Sequence, residues 1–292
     1  MRGLALSVLC LAACGPSAAV QDATLTTVGV ESVLIRPQGE AGEHGAFIDM
    51  AGALTVRIET PDGPLEVRLA EIDTPVPTAA QAWLADRLAG REVSLVYSGA
   101  RRDRYDRALA QLVLASAAVP DDAASASVAD VPDGGDWLQY RLVEAGLARV
   151  MTHADNQAHA TPLLAAEAAA RAADRGLWAD PDHRIRDTHP DARAQDVGTA
   201  QIIEGRVLDA VQLNSGRIYL NFGRDYRSDF TIRIDAGDAE AFEAAGLTPE
   251  RLEGQRVRVR GWLIDENGPM IQLDHPARLE LIGEDGEAAM AR

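Results

Sequence analysis

Apolar and polar residues alternate with a period of two through most of this chain, as half-buried strands do, and the spacing turns helical in only a few places. Phe47-Ile-Asp-Met50 and Ala53 to Ile58 read as a strand pair. Thr60-Pro-Asp-Gly-Pro64 is a turn by composition, with Asp-Gly as its hairpin signal, and Leu65 to Ile72 returns from it. Thr78 to Leu88 has helical spacing with a threonine start and a stop at Gly90. Strands follow at Glu92 to Val96 and Ala108 to Ala115, then helices at Asp136 to Glu144 and Pro162 to Asp174. Alternation resumes at Ile202 to Leu213, Arg217 to Phe222 and Asp229 to Ile234. A helix at Ala239 to Ala245 stops at Gly246. Gln255 to Ile264 and Met270 to Leu273 form a hairpin across Asp265-Glu-Asn-Gly268, and Leu279 to Ile282 closes the sheet. The expectation is a mainly β chain with helices, an α+β fold.

Two stretches interrupt the pattern. Val119 to Gly135 mixes Pro, Asp, Ala, Ser and Gly and reads as a solvated acidic loop. Pro181 to Gly198, rich in Asp, His, Arg and Pro, marks a domain boundary. Before the first pair, Gln21 to His44 is polar with scattered valines and reads as a tether with one edge strand at Val28 to Ile35.

At 292 residues there is room for two modest domains. Aromatics make up only 4%, so the cores rest on Ala, Val, Leu and Ile. The formal charge is −17, and every one of the 28 basic residues is arginine. Such a chain gains nothing from long-range attraction to nucleic acid, so any contact with it must be local. Both cysteines, Cys10 and Cys14, lie in the first fourteen residues. Arg2 and the apolar run Leu4 to Ala13 form a leader too short to span a bilayer. Leu11-Ala-Ala-Cys14 has the look of a bacterial lipobox, with Cys14 as the lipidated residue. The rival reading is cleavage after Ser17-Ala-Ala19. Gly15 after the cysteine resembles the Gram-negative outer-membrane pattern.

The chemistry gathers in Glu66-Val-Arg-Leu-Ala-Glu-Ile-Asp-Thr-Pro75 and Arg101-Arg-Asp-Arg-Tyr-Asp-Arg-Ala-Leu-Ala110. Each places arginine beside strand sequence, and Pro75 ends the first strand. Guanidinium forks bind phosphate oxygens and a carboxylate holds a divalent metal, so the combination suits a phosphodiester. On these residues the chain resembles the staphylococcal nuclease-like (thermonuclease) family. Trp137 to Val150, ending Gly-Leu-Ala-Arg-Val, and Leu163 to Trp178, ending Gly176-Leu-Trp178, extend the resemblance to about Phe47 to Ala179. It implies two tandem barrels of the oligonucleotide-binding (OB) type, the first of the staphylococcal nuclease kind. The second carries a weaker likeness in Tyr219 to Gly223 and Asp229 to Thr231. The expected domains are a signal peptide at 1–13, a tether at 14–44, the nuclease-like domain at 45–180, a linker at 181–200, the second barrel at 201–284 and a tail at 285–292.

Carried over residue by residue, the resemblance implies that Arg68 and Arg107 clamp the scissile phosphate. Tyr105 binds a phosphate of the nucleotide, and calcium is held by the carboxylate of Asp73 and the carbonyl of Thr74. Two departures weaken the calcium site and the chemistry. The family's glutamate after Asp-Thr-Pro is Val76 here, followed by Pro77, and the second calcium aspartate is Leu54. Asp49 is out of register for that role. Glu71 and Glu66 read as solvent-facing strand carboxylates, and His153 and His159 as surface histidines. Losing the base costs two to four orders of magnitude in rate, and supplying both carboxylates is expected to restore cleavage. Three readings stand. The first is a lipid-anchored, catalytically degenerate module that binds a nucleic acid, a phosphate-containing ligand or a protein partner. The second is an active calcium-dependent phosphodiesterase with an unusual base, Glu71 foremost. The third is a purely structural envelope lipoprotein. The expected location is the Gram-negative envelope, lipid-anchored in the outer membrane and facing the periplasm. A cut within Pro181 to Gly198 is expected to leave two folded fragments.

Overall fold

The computed structural model describes residues 35–114, 136–189, 194–225, 227–283 and 288–289. The leader, Cys14, the strand expected before Ile35 and the acidic loop at 119–135 lie outside the described residues. The fold is mainly β with a few helices.

In the first barrel, β1 (Glu40–Gly52), β2 (Thr55–Thr60) and β3 (Gly63–Leu69) form an antiparallel meander. β1 starts at Glu40, inside the stretch expected as tether. Along β2, Val56 and Ile58 point into the core while Arg57 and Glu59 lie outward, as the alternation requires. The Thr60 hydroxyl donates to the Gly63 carbonyl and accepts from Asp62 N–H, and Gly63 has the positive φ that the tight turn needs. The expected strand from Leu65 to Ile72 is broken. Glu71 takes φ +65°, and Ile72–Asp73 (β4) swings out to pair with Arg149–Val150 (β8).

Helix α1 (Pro77–Leu88) buries Ala80, Leu84 and Leu88, one per turn. Its N-cap is Val76 rather than the expected threonine, with Pro77 in the first turn, where its missing N–H costs nothing. β5 (Glu92–Tyr97) and β6 (Ala108–Leu114) follow, and β6 pairs parallel with β3, closing a five-stranded barrel in the order β1-β2-β3-β6-β5. Asp136–Trp137 (β7) is a short strand on β6, not the start of a helix. α2 (Leu138–Glu144) and α3 (Ala160–Ala172) cover the barrel.

The second barrel repeats this plan. β9 (Ala200–Arg206) and β10 (Asp209–Gln212) are one run split at Val207–Leu208. They join β11 (Ile218–Asn221), β12 (Thr231–Ile234), β13 (Arg256–Asp265) and β14 (Pro269–Leu273). β12 pairs parallel with β14, and β9 pairs with β13 while β10 pairs with β11, so this sheet closes as well. Helices α4 (Ala239–Ala244) and α5 (Pro249–Leu252) fill the place that α1 holds in the first barrel, between the third and fourth strands. β15 (Leu279–Ile282) and β16 (Ala288–Ala289) extend the sheet past β13. Among the described residues no helix is long and apolar enough to cross a membrane.

Each barrel has its own hydrophobic core, and the two cores are joined. Ile202 of β9 sits in a small cluster with Ala170, Leu177 and Trp178, and Ala277 packs against the first core. Arg260 of β13, fully buried, donates to both carboxylate oxygens of Glu167, at 3.0 and 3.1 Å, to the Val150 carbonyl and to Glu280. Burial alone would lower its pKa, but Glu167 and Glu280 more than offset this and raise it. The described residues fall in one compact unit.

Candidate functional site

The break after β3 creates the site. Because the chain turns at Glu71, Arg68 lies beside the bend and its guanidinium donates to the carbonyls of Leu54, Leu69 and Ile72 at 3.0–3.3 Å. Asp73 stands 3.7 Å from the Arg68 guanidinium. β3 pairs with β6 in parallel, so the loop before β6 comes to the same place, carrying Arg107. Asp103 organises that loop. Its Oδ1 accepts the N–H groups of Tyr105 and Arg107, and its Oδ2 accepts from Arg107 Nε at 2.8 Å. Desolvation opposes the Asp103 charge, but these hydrogen bonds prevail and lower its pKa. The pKa of Arg68 is lowered, first by burial and then by the repulsion of Arg107, so the two cations share one field.

Around them lies a cleft of about 730 Å³ whose lining includes Arg68, Arg102, Arg104, Tyr105 and Arg107. Tyr105 is 64% exposed, with the guanidinium groups of Arg104 and Arg107 at 4.7 and 5.1 Å from its ring centre. The structure therefore brings Arg68, Arg107 and Tyr105 together, with Asp73 at the edge. Thr74 follows Asp73 at the bend. Its hydroxyl donates to the Leu147 carbonyl at 2.7 Å and accepts from Val76 N–H, tying the bend to the loop before β8.

The positions that lack carboxylates have become structural. Leu54 is 3% exposed within the first core. Val76 packs on the cluster that contains Trp178 and Ile202, at the junction with the second barrel. Asp49 is taken by Arg57 at 2.8 Å on an exposed face, and Glu66 bonds the same arginine. Calcium takes six to eight oxygen ligands, several of them carboxylates. Among the described residues no three His, Cys, Asp or Glu side chains converge. Asp73 offers a single carboxylate with a guanidinium beside it. The residues present do not fit calcium.

Residues 66–180 match the family described as staphylococcal nuclease homologue. That stretch is a staphylococcal nuclease-like domain. The match spans under half of the chain and begins inside β3, so the nuclease-like barrel also needs β1 and β2, which lie before it. No curated protein matches the chain.

Two sequence readings are corrected in the nuclease-like domain. Glu71 is not a solvent-facing strand carboxylate but is 2% exposed, and His159 is not a surface histidine but is equally buried. They bond each other at 2.7 Å, and Glu71 also accepts from His159 N–H and from Gln111 Nε2. A carboxylate held by three donors in the interior is a brace for the bend, and it also lines the cleft. The positive φ that places it there leaves no mark in the alternation of the strand.

Sequence reasoning also missed the part that the second barrel plays. Asp274, just past β14, lines the cleft beside His153 and Asp155. His275 Nε2 meets the Thr152 hydroxyl at 2.7 Å, and Arg278 donates to the Thr152 carbonyl at 2.8 Å and to His153 Nδ1 at 3.3 Å. Partial burial and then Arg278 lower the pKa of His153, against the pull of Asp274 and Asp155. The hydrogen bond from His275 holds Asp274 down at about 2, with Arg278 adding to it. No spacing in the sequence points from one barrel to the other, so these partners could not be read from it.

Proposed function

We propose that this chain is a thermonuclease-family envelope lipoprotein whose arginine cleft binds a phosphate-bearing ligand without hydrolysing it. The observation that carries the reading is the contrast at the bend. The arginines of the phosphate clamp stand in one cleft with Tyr105, while Leu54 lies in the core and Val76 in the barrel junction, where the chemistry needs carboxylates. Guanidinium groups bind a phosphate without a metal through charge-assisted hydrogen bonds. Hydrolysis additionally needs an activated water and charge stabilisation in the transition state. Arg107 and Tyr105 contact the phosphate from the accessible side. Arg68, held by three carbonyls, adds a fixed positive charge. The envelope location rests on Leu11-Ala-Ala-Cys14, with Cys14 as the anchor.

Isothermal titration of inorganic phosphate into the full chain tests the binding half of this reading. Saturable binding that weakens about tenfold in Arg107→Ala is expected, the worth of one hydrogen bond to a charged group. Equal heats for the two proteins would overturn it. For the anchor, Cys14→Ser should leave the membrane fraction, and unchanged fractionation would reject the lipid attachment.

A further inference from the structure

His153 stands where the second barrel meets the cleft. Its backbone is fixed: its N–H donates to the Asn156 carbonyl at 3.0 Å, and its carbonyl accepts from Asn156 N–H at 2.8 Å. Thr152, just before it, is fully buried and held by the second barrel at both its hydroxyl and its carbonyl. The His153 ring, by contrast, is exposed and lines the same cleft as Arg68 and Arg107.

The ring meets one group of the second barrel directly. Arg278 Nη2 lies 3.3 Å from His153 Nδ1. A guanidinium has donors but no acceptor and keeps its proton, so Nδ1 must accept, which puts the imidazole proton on Nε2. The contact therefore exists only while the ring is neutral. A proton on Nδ1 removes the acceptor and sets an imidazolium against a guanidinium. Arg278 is tied where it stands, because its Nε donates to the Thr152 carbonyl at 2.8 Å and its Nη1 lies 3.6 Å from Asp274. The other titratable groups about the ring are Asp274 and His275 on the same turn and Asp155 on its own loop. Asp274 is already engaged by His275 Nδ1 at 2.6 Å. Desolvation first and Arg278 next lower the pKa of His153, against the two carboxylates. The ring thus takes its second proton at a lower pH than a free histidine, whose pKa is ~6.5.

We propose that the second barrel makes the cleft responsive to acid, with His153 as the responding group. While neutral, the ring is latched to Arg278 and adds no charge to the cleft. Once protonated, it gives up that bond and joins the arginines as a further cation, so anions bind more tightly. This regulation rests on the phosphate reading of the same cleft.

The test is isothermal titration of dimethyl phosphate into the full chain carrying Cys14→Ser. The measurements span about pH 7.5 to about pH 5, the window in which histidine titrates. A phosphodiester keeps one charge throughout that window, so any change in affinity belongs to the protein. Binding should tighten roughly two- to fivefold toward acid, the worth of one unit charge across the cleft at a dielectric between those of water and protein. His153→Gln should abolish the rise. Arg278→Gln should move its midpoint to higher pH, because the cation that opposes protonation is gone. Arg107→Ala should weaken binding at both ends of the range and keep the rise. By reciprocity, saturating dimethyl phosphate should raise the midpoint at which the His153 ring resonance titrates in the parent chain. An affinity that does not change with pH would overturn the acid response and leave the phosphate reading standing. So would a rise that persists in His153→Gln, or a ring midpoint that the ligand does not move. Absence of binding at every pH would overturn both.

Discussion

Arg68 and Arg107 bring the same charge into one cleft, yet they are not interchangeable. Arg107 is held by a carboxylate on its own loop, whereas Arg68 satisfies three carbonyls where the strand breaks. Arg107→Ala should therefore cost affinity while moving stability by less than about 1 kcal/mol, as part-exposed ion pairs do. Arg68→Ala should lose affinity and about 2 kcal/mol of stability as well, because it strips donors from part-buried carbonyls. Urea midpoints of the two variants check this, and equal midpoints would contradict it. Leu54→Asp, the change that would supply the second metal carboxylate, should instead destabilise by at least about 3 kcal/mol, since it removes a core leucine and buries a charge. A folded Leu54→Asp chain with an unshifted urea midpoint would show that this position is free to serve a metal.

At the scale of elements, the strand alternation and the Asp-Gly turn placed most of the strands, because inward residues such as Val56, Ile58, Val67 and Leu69 follow the period of two without a break, while the two barrels themselves came from the family resemblance. The motif arginines were legible for the same reason, lying at strand ends. What could not be read is whatever depends on a single dihedral or on a distant partner. Glu71 looks like an outward strand residue until the positive φ turns it inside, and His159 is buried among Glu71, Gln38 and Trp137. The turn after β14 is a further case. Asp274 has its pKa lowered to about 2 by His275, while an unfolded aspartate titrates near ~3.9. A depressed carboxylate stabilises the folded chain above its unfolded pKa and loses that contribution as pH falls through the folded value. Stability should thus decline from about pH 4 toward pH 2, and the decline should be shallower in Asp274→Asn. Acid unfolding curves followed by tryptophan fluorescence measure this, and superimposable curves would count against the His275 contact.

Across the whole molecule, the residues at 181–200 look like a linker in sequence, but side chains from both barrels meet beside them. Arg260 reaches from β13 to Glu167 on α3, and Ile202 from β9 to Trp178. Calorimetry should therefore show one unfolding transition for residues 35–283, not two. Arg260→Ala should cost about 3 kcal/mol of stability, because Glu167 and Glu280 would lose their closest cation and keep only Arg171 and Arg258, at 3.5 and 3.8 Å. Two transitions, or two fragments that stay folded after a cut, would restore the picture of independent barrels. The same junction holds Val76, so the architecture that fixes the second barrel also fills the position where the resemblance leads one to expect a glutamate. Binding without turnover is the central claim. The direct measurement is cleavage of a labelled single-stranded DNA by the full chain, with calcium and with chelator, in parallel with Arg107→Ala. The same negligible cleavage is expected in all of these samples. Calcium-stimulated cleavage that disappears in Arg107→Ala would contradict it.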